Sequence, residues 1–256
     1  KDGGATWSTP VTLDTRSFPT ILEASLPVVA PDGAVYVIYS ELDFLRTLNF
    51  WFCSSKDGGK TWSAPAPIAS GLPSAGEFYL RNADPKFYSE PHVGFRANSF
   101  PTAAVTPDGA IWVAWIDFAR GACNTQFYFP PCENSDLRLT VSRDGGKSWA
   151  APVKVTDEAN ASDQFFPWMA AHPNGMVSLV WLDRRLDPEN VNYDAFYTNT
   201  SDGVTFSPNV RISTASSVLG NLYYIGDYIG LAATGGGVFP VWTDRQDKNN
   251  LDVFTA

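Results

Sequence analysis

The stretch Ser54–Trp62, SSKDGGKTW, returns in the chain as VSRDGGKSW (Val141–Trp149), opens it as KDGGATW (Lys1–Trp7), and recurs in a worn form as NTSDGVTF (Asn199–Phe206). A second series interlocks with it. Gly33, Gly109, Gly175 and Gly236 sit in PDG, PDG, PNG and GGG contexts, and each is followed by an aromatic: Tyr39, Trp115, Trp181 and Trp242. Two residues beyond each aromatic stands an acid: Glu41, Asp117, Asp183 and Asp244. Two series in one register restrict the fold to architectures built from stacked repeats.

Each unit reads as four strands. FPTAAVTP (Phe100–Pro107) suits a buried strand, and the PDG turn makes a hairpin with AIWVAWID (Ala110–Asp117). LRLTVSR (Leu137–Arg143) follows as a third strand, then the DGG turn, then APVKVTD (Ala151–Asp157) as a fourth. The fold class expected is all-β: a β-propeller of four-stranded antiparallel blades, about four of them present. The expected segments are 1–13 as the outer strand of one blade, 25–68, 98–157 and 164–212 as full blades, and 225–256 as an incomplete one. The spacing also locates insertions. Trp62 to Trp149 spans 87 residues and Trp149 to Phe206 only 57, with the excess in Ser70–Ser99 and in the loop bracketed by Cys123 and Cys132. The chain begins inside a DGG turn and stops after a third strand, so a piece of a longer propeller is expected. In the alternative, residues 5–13 pair with residues 250–256 and close a four-bladed ring.

Apolar residues make up 44% of the 256 residues and aromatics 14%, with nine Trp, which suits strands around a large core. A formal charge of −9 argues against nucleic acid or an anionic membrane surface as the main partner. No apolar run approaches the ~18 residues of a membrane span. A Cys123–Cys132 bridge would suit an exported protein, and two free thiols are the alternative. Cys53 falls in a strand and reads as buried.

In the repeated turn, an Asp carboxylate can accept backbone N–H groups while Gly supplies a positive φ. The residues in this role are Asp2, Asp57 and Asp144, with Trp7, Trp62, Trp149 and Phe206 packing behind them. In the worn copy the acid's place is read as taken by Ser201. The motif therefore reads as structure rather than chemistry. SSKDGGKTW and SRDGGKSW resemble the Asp-box, or bacterial neuraminidase repeat, of the sialidase-like propellers. The phrases FRANSFPTAAVTPDGAIWVAWID, VWLDRRLDPENVNYDAFYTNTSDGVTFSPNVRIS and GDYIGLAATGGGVFPVWTDR resemble bacterial secreted members of that superfamily. The resemblance implies a six-bladed ring, a secreted or cell-surface bacterial protein, and a glycan partner. The activity it implies is exo-acting glycoside hydrolysis of the exo-α-sialidase type. A non-catalytic glycan- or protein-binding propeller is the alternative, because the family's Phe/Tyr-Arg-Ile-Pro motif is absent.

Strand parity places the chemistry. The DGG turns lie at one end of each blade, so Glu41, Asp117, Asp183 and Asp244 lie at the other. That end also collects Arg96, Arg120, Arg184, Arg185 and Arg245. Arginine forks with carboxylates suit a carboxylate-bearing sugar. The expected substrate-binding set is Arg184, Arg185, Arg245, Arg120, Arg96, Asp117 and Asp244. The catalytic candidates are Tyr228, its neighbour Asp227, and Asp183, since sialidases use a Tyr nucleophile and a phenol needs a nearby base. The same acids and arginines can instead form inter-blade ion pairs. No cofactor is expected. The acidic run Asp187–Asp194 could bind Ca²⁺ but lacks the spacing of a known calcium loop, and His92 and His172 are too far apart in sequence to suggest zinc.

Overall fold

A computed structural model describes residues 3–17, 20–42, 47–72, 77–86, 94–118, 134–247 and 250–256. Asp2, Arg120, Cys123, Cys132 and His92 lie outside them. The first sheet comprises β1 (Ile21–Val29), β2 (Val35–Leu42), β3 (Leu48–Ser55) and β4 (Ala66–Leu72) in sequential order. A separate hairpin follows, β5 (Glu77–Leu80) with β6 (Phe95–Asn98). The second sheet holds β7 (Thr102–Val105), β8 (Ile111–Phe118), β9 (Ser135–Ser142) and β10 (Val153–Lys154). The third holds β11 (Gln164–Ala171), β12 (Val177–Asp183), β13 (Asp194–Thr200) and β14 (Val210–Arg211). The last has three strands, β15 (Gly230–Ala233), β16 (Val238–Asp244) and β17 (Asp252–Thr255). Among the described residues the strands pair antiparallel, and the architecture is a propeller of blades.

Packing follows from position in the ring. The innermost strands are neighbours in chain order, β1 against β7, β7 against β11, and β11 against β15. Strand β12 is buried at every position because blades cover both its faces. In β16 on the last sheet the pattern alternates instead, leaving Phe239 and Val241 exposed. One core, around Trp112 and Trp181, joins the second, third and last sheets; another, around Ile38, Phe50 and Trp115, joins the first to the second.

The repeated turn is held by its acid. Asp57 accepts the N–H groups of Lys60 and Thr61 at 3.0 and 2.9 Å and the Thr61 hydroxyl at 2.6 Å. Asp144 does the same for Ser148 through its N–H and hydroxyl. The worn copy corrects the sequence reading, for Asp202 and not Ser201 holds the acid's place. Asp202 accepts the N–H groups of Val204 and Thr205 at 2.8 and 2.7 Å in a turn one residue shorter, with one glycine where the others have two. These bonds pull the Asp144 and Asp202 carboxyls down to about 2, through the Ser148 hydroxyl and the Thr205 N–H first, and lower Asp57 as well through Thr61.

The turn glycines also set the distance between blades. A Cβ on Gly146 would stand 2.2 Å from Cζ of Phe52 in the preceding blade, and one on Gly203 would stand 2.9 Å from Val141 Cγ2. Trp149 packs edge-on against the same Phe52 at 5.8 Å, and Phe206 packs against the larger core. Trp62 donates to the Gly59 carbonyl at 3.1 Å, whereas Trp7 is 89% exposed.

The insertion 70–99 is not only loop. Its hairpin β5–β6 packs on the segment leading into the last sheet, where Arg96 N–H donates to the Tyr223 carbonyl at 2.8 Å. The Tyr79 and Tyr223 hydroxyls meet at 2.6 Å.

Candidate functional site

The repeated aromatic–acid pairs have a physical role of their own. Residues two apart on a strand share a face, so Trp181 Nε1 donates to Asp183 at 2.7 Å and Trp242 Nε1 to Asp244 at 2.8 Å. The first blade reaches the same end with other residues: Trp51 donates to Glu41 at 2.5 Å, and the Tyr39 hydroxyl donates to Asp14 at 2.7 Å. The second blade departs from the pattern. Asp117 accepts its neighbour's N–H from Phe118, and burial raises its carboxyl.

Asp183, a catalytic candidate by sequence, has no exposed surface. Besides the indole, it accepts the Arg185 backbone N–H and the Arg185 guanidinium, both at 2.8 Å. The same guanidinium reaches Asp157 and Glu158 on the segment following β10 and lies over the Phe196 ring. Arg245 donates to the Val218 and Leu219 carbonyls. Arg184 has no exposed surface, faces the Phe95 and Phe165 rings, and bonds Asp163 and the Asn190 carbonyl; desolvation lowers its pKa. Asp183, Asp244, Arg184, Arg185 and Arg245 thus fasten strands and blades to one another, and the structure does not gather them into one pocket.

A different set converges. Leu26, Thr102, Trp168 and Gly230 each pair with the residue just before the strand-two aromatic, which makes them equivalent in register. Two residues before each stand Ala24, Phe100, Phe166 and Tyr228, and all four line one cleft of about 220 Å³ at the centre of the ring. In β1 and β11 the register slips at this point, with Ala24 at φ 55° and Phe166 at φ 49°. Left-handed backbone at a non-glycine residue costs about 1–2 kcal/mol, and such strain clusters at functional sites. Ala24 and Phe166 line the cleft at these slips.

Asp227 lines the cleft beside Tyr228. It accepts Arg96 Nη2 at 2.5 Å and Asn98 Nδ2 at 2.8 Å, both from β6 and brought in by the inserted hairpin. Its other oxygen accepts the Tyr224 hydroxyl at 2.9 Å, and that bond raises the Tyr224 phenol. The Arg96 guanidinium lies over the Tyr224 ring at 5.0 Å. Tyr228 is 69% exposed, with its ring 6.4 Å from that of Trp168. Of the sequence candidates, Arg96, Asp227 and Tyr228 come together here.

Sequence reading missed Asn98, Trp168, Tyr224 and Glu23. Glu23 stands three residues before Leu26, as Asp227 stands three before Gly230, and lines an adjoining hollow that meets the cleft at Ser25. Counting back along strand one from each paired aromatic would have found both acids. The carboxylates offer proton transfer or nucleophilic attack to a bound ligand, and the aromatic walls offer contact area. Among the described residues, no cluster of three His, Cys, Asp or Glu is arranged to hold a metal. In the acidic run, Asp187 spends its oxygens on the N–H groups of Glu189, Val191 and Asn192, and Asp194 on Arg211, Ser213 and Ser216.

No protein-family model and no curated protein matches the chain. Solved structures do. A Hadza microbial sialidase matches 92% of this chain with 44% of its own length, at 16% identity and a TM-score of 0.55. A Penicillium chrysogenum α-L-arabinanase complexed with arabinobiose matches 96% with 65% of its own length, at 17% identity and a TM-score of 0.57. A protein of unknown function from Dyadobacter fermentans matches 94%, at 14% identity and a TM-score of 0.60. The chain spans about half to two thirds of the length of these structures. What the likeness shows is the fold, a β-propeller.

Proposed function

We propose that the chain carries the central site of a secreted or cell-surface glycoside hydrolase, with the cleft receiving the glycan and Asp227 serving as a catalytic carboxylate. The observation that carries this reading is the convergence of Arg96, Asn98 and Tyr224 on Asp227 at the cleft wall. Hydrolysis by the common route takes two carboxylates flanking the bond, and Glu23, on the hollow that adjoins the cleft at Ser25, is the candidate for the second. The propeller enzymes that share this fold, among them a sialidase and an arabinanase, support a glycan as substrate. The narrower exo-α-sialidase form keeps Tyr228 at the cleft, but Asp227 is bonded to Tyr224.

The test is release of reducing sugar from a panel of oligosaccharides, with Asp227→Asn beside the wild type. Loss of a positioned acid–base group lowers the rate by about 10²–10⁴-fold. Turnover unaffected by Asp227→Asn would overturn the assignment. A second reading, glycan binding without hydrolysis, is favoured by one observation: Asp227 is the only acid among the described residues lining the cleft itself.

A further inference from the structure

Building on the reading of the central cleft as a glycan site, we propose that the sugar it receives is uncharged, held by stacking on Trp168 and Tyr228, and does not bear a carboxylate. Binding a carboxylate in a cleft calls for an arginine fork aimed into it. The described arginines on this side are engaged elsewhere. Arg96 holds Asp227 and covers Tyr224. Arg184 lies wholly inside the core, Arg185 bridges three carboxylates, and Arg245 points at backbone carbonyls.

The charged residue among the described lining is Asp227, already paired with Arg96, so the lining presents no uncompensated positive charge to an acidic sugar. The remaining lining is mostly apolar. Trp168 and Tyr228 stand with rings 6.4 Å apart and tilted by 45°, and Phe100 and Phe166 complete the wall. A neutral sugar presents a face of C–H groups that loses water favourably against such rings, while its hydroxyls need a few polar partners. Ser25, Asn98 and Asp227 supply those partners. At about 220 Å³ the cleft is smaller than a drug-sized pocket of ~300–1,000 Å³, which suits one sugar ring at the wall.

The experiment titrates the whole chain with neutral oligosaccharides (arabinobiose, xylobiose, cellobiose, lactose) and with acidic ones (3′-sialyllactose, digalacturonate). Binding is read by calorimetry and by tryptophan fluorescence, at low and high salt. At least one neutral sugar is expected to bind with an affinity that salt leaves unchanged. That affinity should drop at least tenfold in Trp168→Ala and in Tyr228→Ala, and stay level in Arg245→Gln. Tyr228 is exposed enough that its variant keeps the fold. Tighter binding of 3′-sialyllactose than of lactose, weakened by salt and by Tyr228→Ala, would overturn the neutral-sugar inference and leave the cleft as the glycan site. Binding indifferent to both ring variants, or no binding by any sugar, would overturn the cleft reading itself and this inference with it.

Discussion

Arg96 and Asp227 are 131 residues apart in the chain and joined at 2.5 Å across the join between the inserted hairpin and the last sheet. The pair does two things at once. It fastens the insertion to the ring, and it fixes the carboxylate at the cleft.

Its removal separates those roles. Arg96→Met takes away the cation while keeping most of the stem, and Tyr224→Phe removes one hydroxyl. Both variants should bind glycan nearly as wild type, yet Arg96→Met should lose at least tenfold in kcat. Tyr224→Phe should shift the pH profile of kcat with a smaller loss. Steady-state kinetics on the best substrate of the panel checks this.

Glu23→Gln should lower kcat by about 10²-fold or more if this acid is the second carboxylate, since that is the usual contribution of a positioned acid or base. Thermal stability should be unchanged. Comparing kcat with the melting temperature distinguishes a chemical role from a structural one.

Asp183 is a structural acid. Asp183→Ala strands the Trp181 indole and one arm of the Arg185 network inside the protein, and breaking a buried pair of this kind costs about 3–5 kcal/mol. Urea unfolding should show a loss of that order, larger than for Asp117→Ala, since Asp117 accepts one neighbouring N–H and meets Arg138 only at 3.9 Å.

The turn acids predict a pH dependence. Asp144 and Asp202 titrate near 2 in the folded chain, against about 4 when unfolded. A carboxyl lowered by folding stabilises the fold above its unfolded pKa, and that contribution fades as the pH falls from about 4 through about 2. Melting temperature should drop across that window. Asn at 57, 144 and 202 together should flatten the drop.

Gly33→Ala and Gly146→Ala share a positive φ and differ in surroundings. Gly33 has open space at its Cβ position and Gly146 has the Phe52 ring. Left-handed strain alone costs about 1–2 kcal/mol, and overpacking adds about 1–3 kcal/mol. Urea unfolding should therefore rank Gly146→Ala as the more damaging change.

The frame was legible because its signals are local. Turn glycines, strand alternation and the aromatic–acid spacing each act within a few residues, and they locate the three four-stranded sheets and the strands of the last. The worn turn at Asn199–Phe206 is not legible from a glycine pair, because what it keeps is the carboxylate-to-amide bonds. The site was less legible for a different reason. Its residues sit where strand periodicity breaks, at Ala24 and Phe166, and its central ion pair depends on a hairpin docking far along the chain. Arginines counted by their proximity to strand ends looked available; packing shows Arg184 and Arg185 to be fasteners.

The four equivalent positions at the cleft have a consequence for how such a ring diversifies. None of the four is paired in its ladder, Ala24 and Phe166 lying at slips in register and Phe100 and Tyr228 just ahead of β7 and β15, so Ala24, Phe100, Phe166 and Tyr228 behave as separate sockets around one axis. Three of them hold an aromatic and one a methyl group. The socket at Ala24 is the vacant one, and a lineage exploring new ligands could remodel the mouth there by single-codon steps, without disturbing the scaffold that the turns maintain.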